Sequence, residues 1–345
     1  MAVAPAPVPA GQHAAPPQAP PAPRRAEHPF RDLLIRRLAI GIATLFVIAV
    51  LVFLATEVLP GNAARAALGR NATPVALHAL EHRLGLDRSL VAQFWSWLSG
   101  LLTGHLGVSL TSGDPVWGST WPGLLNSAVL VAAAGIIGSI VGILLGAAAA
   151  LRRDGRFDQV SSVIALAVTS LPEFVIAISL VILLATTVFH VLPAIALIPP
   201  GTYAWQQPKQ LILPVITLAL VIIPYIMRMT RAAMIEALES DYVEMARLKG
   251  VPERQVVLRH ALPNAIAPVI QVIGLNFLYL AGGIVVVEYV FNFPGIGTGL
   301  VAAVTARDIP VIQLIVLSLT GFYILMNILT DVIALAATPR RRIAR

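Results

Sequence analysis

Residues Leu124–Leu151 read LLNSAVLVAAAGIIGSIVGILLGAAAAL, a run without one Asp, Glu, Lys or Arg. An α-helix needs about 20 apolar residues to cross the hydrocarbon core of a bilayer. A membrane strand would show about ten residues of strict alternation instead, and this run does not alternate. The stretch therefore reads as a transmembrane helix. Gly135, Gly138, Gly142 and Gly146 recur on it at helical spacing, the mark of a face where another helix approaches closely.

Five further stretches have the same character: Leu38–Thr56, Gln159–Phe189 with only Glu173 charged, Gln210–Met227, His260–Val287 and Ile309–Thr330. The whole chain agrees with them. Of its 345 residues 57% are hydrophobic and 12% charged, and the mean hydropathy is +0.83. A soluble domain is nearer a quarter charged, so a soluble enzyme is excluded for want of polar surface. The absence of cysteine excludes disulfides, thiolate metal sites and a catalytic thiol. The expected fold is an all-α integral membrane protein with six transmembrane helices.

The net charge of +7 could suggest nucleic acid, but its distribution points to membrane topology. With six spans, Arg24, Arg25, Arg31, Arg36 and Arg37 share a side with Arg152, Arg153 and Arg156. The same side carries the basic residues of loop 228–262 and Arg340, Arg341, Arg342 and Arg345. Only Arg65, Arg70, Arg83, Arg88, Lys209 and Arg307 fall opposite. The positive-inside rule then places both termini in the cytoplasm. No nucleic-acid partner is expected, and membrane lipid surrounds the spans.

Residues 1–32 are rich in Pro and Ala, cannot bury a core, and read as a disordered cytoplasmic tail. A cleaved signal peptide is the competing reading, with small residues from Pro60 to Ala64. The apolar run is too long for one and the preceding tail unlike a short basic leader. Residues 33–123 then hold the first span and an outside segment. That segment carries Trp95, Trp97, Trp117, Trp121 and an amphipathic run, Leu90–Leu102, suited to the membrane interface. Residues 124–345 form a core of five spans.

Loop 228–262 is the most informative polar segment. Ser240–Lys249 reads as a helix, Gly250 as its left-handed stop, and Pro252 as the first residue of a second short helix, 252–261. Glu253 suits the positive end of that helix dipole, and Pro263 marks a boundary. The loop also carries Asp241, Glu244, Ala246, Arg247, Lys249, Arg254, Arg259 and Leu262.

Glu244-Met245-Ala246, three residues, Gly250, nine residues, then His260-Ala261-Leu262-Pro263 resembles the loop of binding-protein-dependent ABC importer permeases. Met245 and His260 depart from that family's Ala and Ile. Asp241-Tyr242-Val243, the run Glu288–Gly297 and Arg307-Asp308-Ile309-Pro310 look like its dipeptide/oligopeptide branch. Upstream, Pro60-Gly61, Leu84-Gly85-Leu86-Asp87 and Gly104-His105-Leu106-Gly107 fit the B-type subunit, with Asn62 and His105 where that branch often has Asp. Thr338-Pro339-Arg340 fits its end.

The resemblance implies a type I ABC importer transmembrane domain in a bacterial inner membrane. It further implies a second related permease subunit, cytoplasmic ATPase subunits, an outside substrate-binding protein, and di- or oligopeptide cargo. Nickel, glutathione and haem are cargoes of related systems. The elbow would dock in a groove of the ATPase, with Gly250 supplying the bend and Glu244 and Ala246 the packing face. Arg247, Lys249, Arg254 and Arg259 would pair with the partner.

A phosphate-binding loop needs Gly-Lys followed by Ser or Thr. The two lysines, Lys209 and Lys249, do not meet it. No cofactor is expected on this chain, with ATP and magnesium on the partner. The carboxylates Glu57, Glu173, Glu288 and Asp331 lie in or beside spans, where an unpaired charge costs a few kcal/mol. Glu173, after the helix-bending Pro172, is the candidate for the substrate route, and Glu288 and Asp331 for structural roles. An ion-driven transporter with Glu173 as proton carrier is the rival, though no internal repeat supports it. His78 and His82 share a face but lack further ligands, and no hydrolase motif occurs.

Overall fold

The computed structural model describes residues 29–58, 73–84, 87–199 and 201–337. The Pro-rich segment 1–28, the Pro60-Gly61 pair and the terminal arginines lie outside them. All regular elements among the described residues are helical, apart from one isolated bridge between Val108 and Pro115.

Helix α1, Pro29–Val58, begins inside the stretch read as tail, so the tail boundary moves back. Two short helices follow, α2 (Pro74–Leu84) and α3 (Leu90–Leu102). Ser89 caps α3 by accepting from the Ala92 N–H. Phe94 and Trp97 of α3 pack on Phe53 of α1, with ring centroids 5.3 and 5.9 Å away. The amphipathic run thus lies against the end of the first span.

Helix α4, Val116–Leu151, extends eight residues before the uncharged run and tolerates Pro122 within its second turn. The third apolar stretch departs from expectation. It forms α5 (Arg156–Thr169) and α6 (Glu173–Val181), which continues through a wide π turn to Thr186, and the two halves meet at 104°. The hydroxyls of Thr169 and Ser170 bond back to the Leu166 carbonyl. Pro172, extended and without an N–H, cannot continue the ladder. Whether the described chain has five or six spans depends on counting this bent pair as one.

Helix α7, Pro208–Leu238, is the most buried of the long helices. The glycine row of α4 faces it. A methyl at Gly138 would meet Ile222, one at Gly142 would meet Ile226, and one at Gly146 would meet the Met227 carbonyl and Thr230. Gly135 opposes Phe277. Absent side chains let the backbones close, so the row is a helix contact. Then come α8 (Asp241–Leu248), α9 (Glu253–Gln255), α10 (Leu262–Val290), α11 (Ile296–Ala306) and α12 (Ile309–Ala337). Helix α1 packs on α12, where Arg37 pairs with Asp331 at 2.5 Å. At their other ends Gln313 donates to Thr56 at 3.1 Å.

Candidate functional site

The elbow begins where Ser240 takes an extended conformation before α8. Asp241 and Glu244 occupy the first turn and Arg247 the last, each favourable to the helix dipole. Gly250 then adopts φ +72°. Its N–H donates to the Arg247 carbonyl at 2.9 Å, and Val251 donates to that of Ala246 at 3.2 Å. That paired arrangement is a Schellman stop. A Cβ at Gly250 would meet nothing within 4 Å, so the glycine is required by its backbone angle and not by crowding.

The second arm differs from the sequence reading. Pro252 lies just before the helix, not at its first position, and α9 lasts three residues. The chain then widens into a π turn, Val256–Ala261, that runs without a break into α10. Pro263 is therefore no boundary. It has no N–H for the Arg259 carbonyl and its ring would press on that turn. A wider turn relieves the conflict.

Val243, Ala246 and Val256 form a small buried cluster with Val251 packed against it. Ala246 thus faces inward. The outward apolar stripe is Tyr242, Met245 and Leu248, the last two 53% and 75% exposed. Their three-residue spacing was visible in the sequence but not singled out. Arg247 is engaged within the elbow, donating to Glu253 at 2.7 and 3.2 Å and to the Leu238 carbonyl at 3.4 Å. Its bonds to Glu253 raise its pKa above the ordinary arginine value. Asp241, Glu244, Lys249, Arg254 and Arg259 are exposed and make no ion pair among the described residues. Leu262 and Val257 pack on the main core, which ties the elbow to the bundle, while Pro263 is exposed.

Glu173 lies apart from the elbow, at the bend opening α6. Its carboxyl covers Gly283 of α10, where a Cβ would collide with it. The Tyr279 hydroxyl lies near that carboxylate, with Tyr225 of α7 in the same electrostatic environment. Tyr279 belongs to an exposed face of α10 on which Gln271, Leu275, Gly282, Val286 and Tyr289 recur every three or four residues. That polar-studded face ends at a cavity of about 720 Å³ lined by Tyr289, Asn292, Thr298 and Asn126.

The end of the bundle away from the elbow is knitted by buried side chains. Glu288, fully buried, accepts from the Ser127 hydroxyl and, at 2.6 Å, from the Gly297 N–H. Ser127 in turn accepts from Ile296 N–H at 2.9 Å. The two side chains cap α11. Asn126 bridges the Pro294 carbonyl and the Ala204 N–H, both at 2.9 Å. Asp308 accepts from the Ser109 hydroxyl and from the N–H of Leu110 and Thr111.

The family described as "Binding-protein-dependent transport system inner membrane component" matches residues 138–343. Its N-terminal companion, "Binding-prot-dependent transport system membrane comp, N-term", matches residues 30–122. The chain is 38% identical over 315 residues to the Glutathione transport system permease protein GsiC of Escherichia coli O6:H1, covering 90% of this chain and 99% of that one. The protein of the same name from Pectobacterium atrosepticum is 37% identical over the same shares. The elbow, the bend at Glu173, and Glu288 with Gly297 fall inside the first match, while Ser127 lies between the two matches. The chain belongs to the binding-protein-dependent inner membrane components, as a permease subunit of an ABC importer, a family whose members work with a partner permease, a separate ATPase and a substrate-binding protein.

Proposed function

We propose that this chain forms one half of an ATP-driven import route for short peptides, with glutathione, a peptide-like cargo, the first to test. The observation that carries the proposal is the exposed face of α10. It runs from the 720 Å³ cavity past Tyr289 to Tyr279 and Glu173, polar groups of which the two tyrosines stay about half-exposed or more and Glu173 partly so. Polar groups within a membrane protein face a partner or a water-filled route far more often than lipid. A related but distinct permease subunit would close that face from the other side, making a heterodimer.

In this reading six spans, with the bent α5–α6 pair as one, place both termini and the elbow in the cytoplasm. The domain plan is a tail that ends where α1 begins, short of the expected residue 32, then a first unit to residue 123 and a permease core of 124–345. ATP and magnesium act on the partner ATPase, and this chain carries no cofactor or catalytic group. The stripe Tyr242–Met245–Leu248 packs in the ATPase groove. Asp241, Glu244, Lys249, Arg254 and Arg259 provide its charged rim, and Arg247 braces the elbow from within. The buried cluster and the π turn carry displacement of the elbow into α10, because packed elements shift as units.

The test is ATP-dependent uptake into proteoliposomes by the complete assembly with its binding protein. Glutathione, a dipeptide and nickel would be supplied in turn. Uptake of glutathione or dipeptide supports the proposal. Uptake of nickel alone would overturn the cargo, and uptake without ATPase would overturn the coupling.

A further inference from the structure

A cleft of about 350 Å³ opens on the flank between α4, α5 and α7 and shares no lining residue with the polar face of α10. Its walls are wholly apolar side chains apart from Ser161, whose hydroxyl is turned to the Asp158 carbonyl at 3.1 Å. The floor is Ala165 and Met227, and Val160 and Ile164 stand half-exposed at its rim. From Phe157 to Val168 the α5 wall is about 17 Å long at 1.5 Å per residue. A narrow dry slot of that length suits a flexible hydrocarbon chain.

One end of the slot is basic. Phe157 closes that end, and the Arg152 guanidinium lies over its ring, 5.3 Å from the centroid. Arg156 is the next residue along and is also exposed. The acids nearby are already committed. Asp158 is held by Arg231 at 2.5 and 2.7 Å, Glu239 by Arg153, and Asp154 lies 3.7 Å from Arg153. Arg152 and Arg156 therefore have no carboxylate among the described residues, and two cations sit beside the mouth of an apolar slot.

We propose that this cleft is a binding site for one acidic phospholipid, its acyl chain between α4, α5 and α7 and its phosphate between Arg152 and Arg156. Charge complementarity selects the occupant: a helix of another chain would fill the slot but leave the two guanidinium groups unanswered. The slot also abuts the Asp158–Arg231 pair, so an occupant would brace the junction of α5 with α7.

The test uses the full chain in mild detergent, with lipid retention read by native mass spectrometry. Dioleoyl phosphatidylglycerol is compared with dioleoyl phosphatidylcholine, which has the same chains and no net charge. The wild type should retain one phosphatidylglycerol in preference to phosphatidylcholine. R152Q/R156Q should lower that retention about tenfold or more, each arginine contributing about 1 kcal/mol near a lipid surface. Ile164→Trp, which fills the rim, should lower it with both arginines in place. Elution volume and helical circular dichroism confirm that each variant is folded, and the single arginine substitutions replace the double one if it is not. Equal retention of the two lipids, or unchanged retention in the folded arginine variants, would overturn the proposal. Displacement by millimolar inorganic phosphate would make the site a free-anion site instead, and a crosslink from Ile164 to a helix of another subunit would assign the slot to that helix.

Discussion

The two ends of this bundle are held together in opposite ways. At the elbow, three small buried side chains, one exposed ion pair and a glycine in open space maintain the turn. At the other end, buried carboxylates and hydroxyls satisfy backbone N–H groups of segments more than 150 residues away. Glycine serves both, for different reasons. Gly250 is needed for its positive φ, whereas a Cβ at Gly297 would press on the Val285 backbone at 2.5 Å and one at Gly295 on the Glu288 carboxyl. The lesson is mechanical: a lightly fastened elbow can be moved as a unit, while the far end resists local rearrangement.

The sharpest way to break the contrast is at Glu288. Replacing it with Ala strands the Ser127 hydroxyl and the Gly297 N–H, at roughly 1–3 kcal/mol for each buried group. Thermal unfolding in detergent should show the largest loss of any variant here, with Gln restoring part of it. A Glu288→Ala protein as stable as wild type would remove the rigid-end argument.

Next is Asp158, 3% exposed, whose loss leaves Arg231 unpaired. Breaking such a pair costs about 3–5 kcal/mol when fully buried. Arg231 is partly exposed, so Asp158→Asn should fall at the low end by the same unfolding assay.

At the elbow, Gly250→Val should cost only about 1–2 kcal/mol for a left-handed β-branched residue. It should nevertheless lower ATP-dependent uptake about tenfold or more, a coupling loss of ordinary size. Gly250→Asn, which tolerates that conformation, should retain most uptake. Equal defects in Val and Asn variants would mean that the small side chain, not the angle, matters.

The smallest effect is expected at Arg247→Gln. The bridge to Glu253 is exposed and contributes under about 1 kcal/mol. Stability should barely change, while substrate-stimulated ATPase activity falls about two- to threefold, within what such a bridge can contribute, and Glu253→Gln should reproduce the defect.

Much of this was legible in the sequence. The uncharged runs located the long helices, because crossing a bilayer demands length and apolarity that nothing else in this chain imitates. The glycine spacing of three and four residues announced a helix contact, and Gly250 after Lys249 announced a left-handed stop, since both signals are local. The bend at Ser170–Pro172 was not legible, for hydropathy from Gln159 to Phe189 is continuous and insensitive to backbone hydrogen bonding. Pro263 misled in the opposite sense, because a π turn can carry a proline that an α turn rejects. The inward direction of Ala246 and the capture of Arg247 by Glu253 depended on how the two arms fold onto each other.

By itself, then, the sequence determined the class of molecule, its long helices and the place of the elbow, because periodicity, apolar length and glycine conformation act over a few residues. Only the tertiary structure decided which side of each element meets another. Ser127 with Glu288 and Asp158 with Arg231 are separated by dozens to more than a hundred residues. Such pairs form because a buried polar group must find whatever partner the packing brings within reach, and that choice is made in three dimensions.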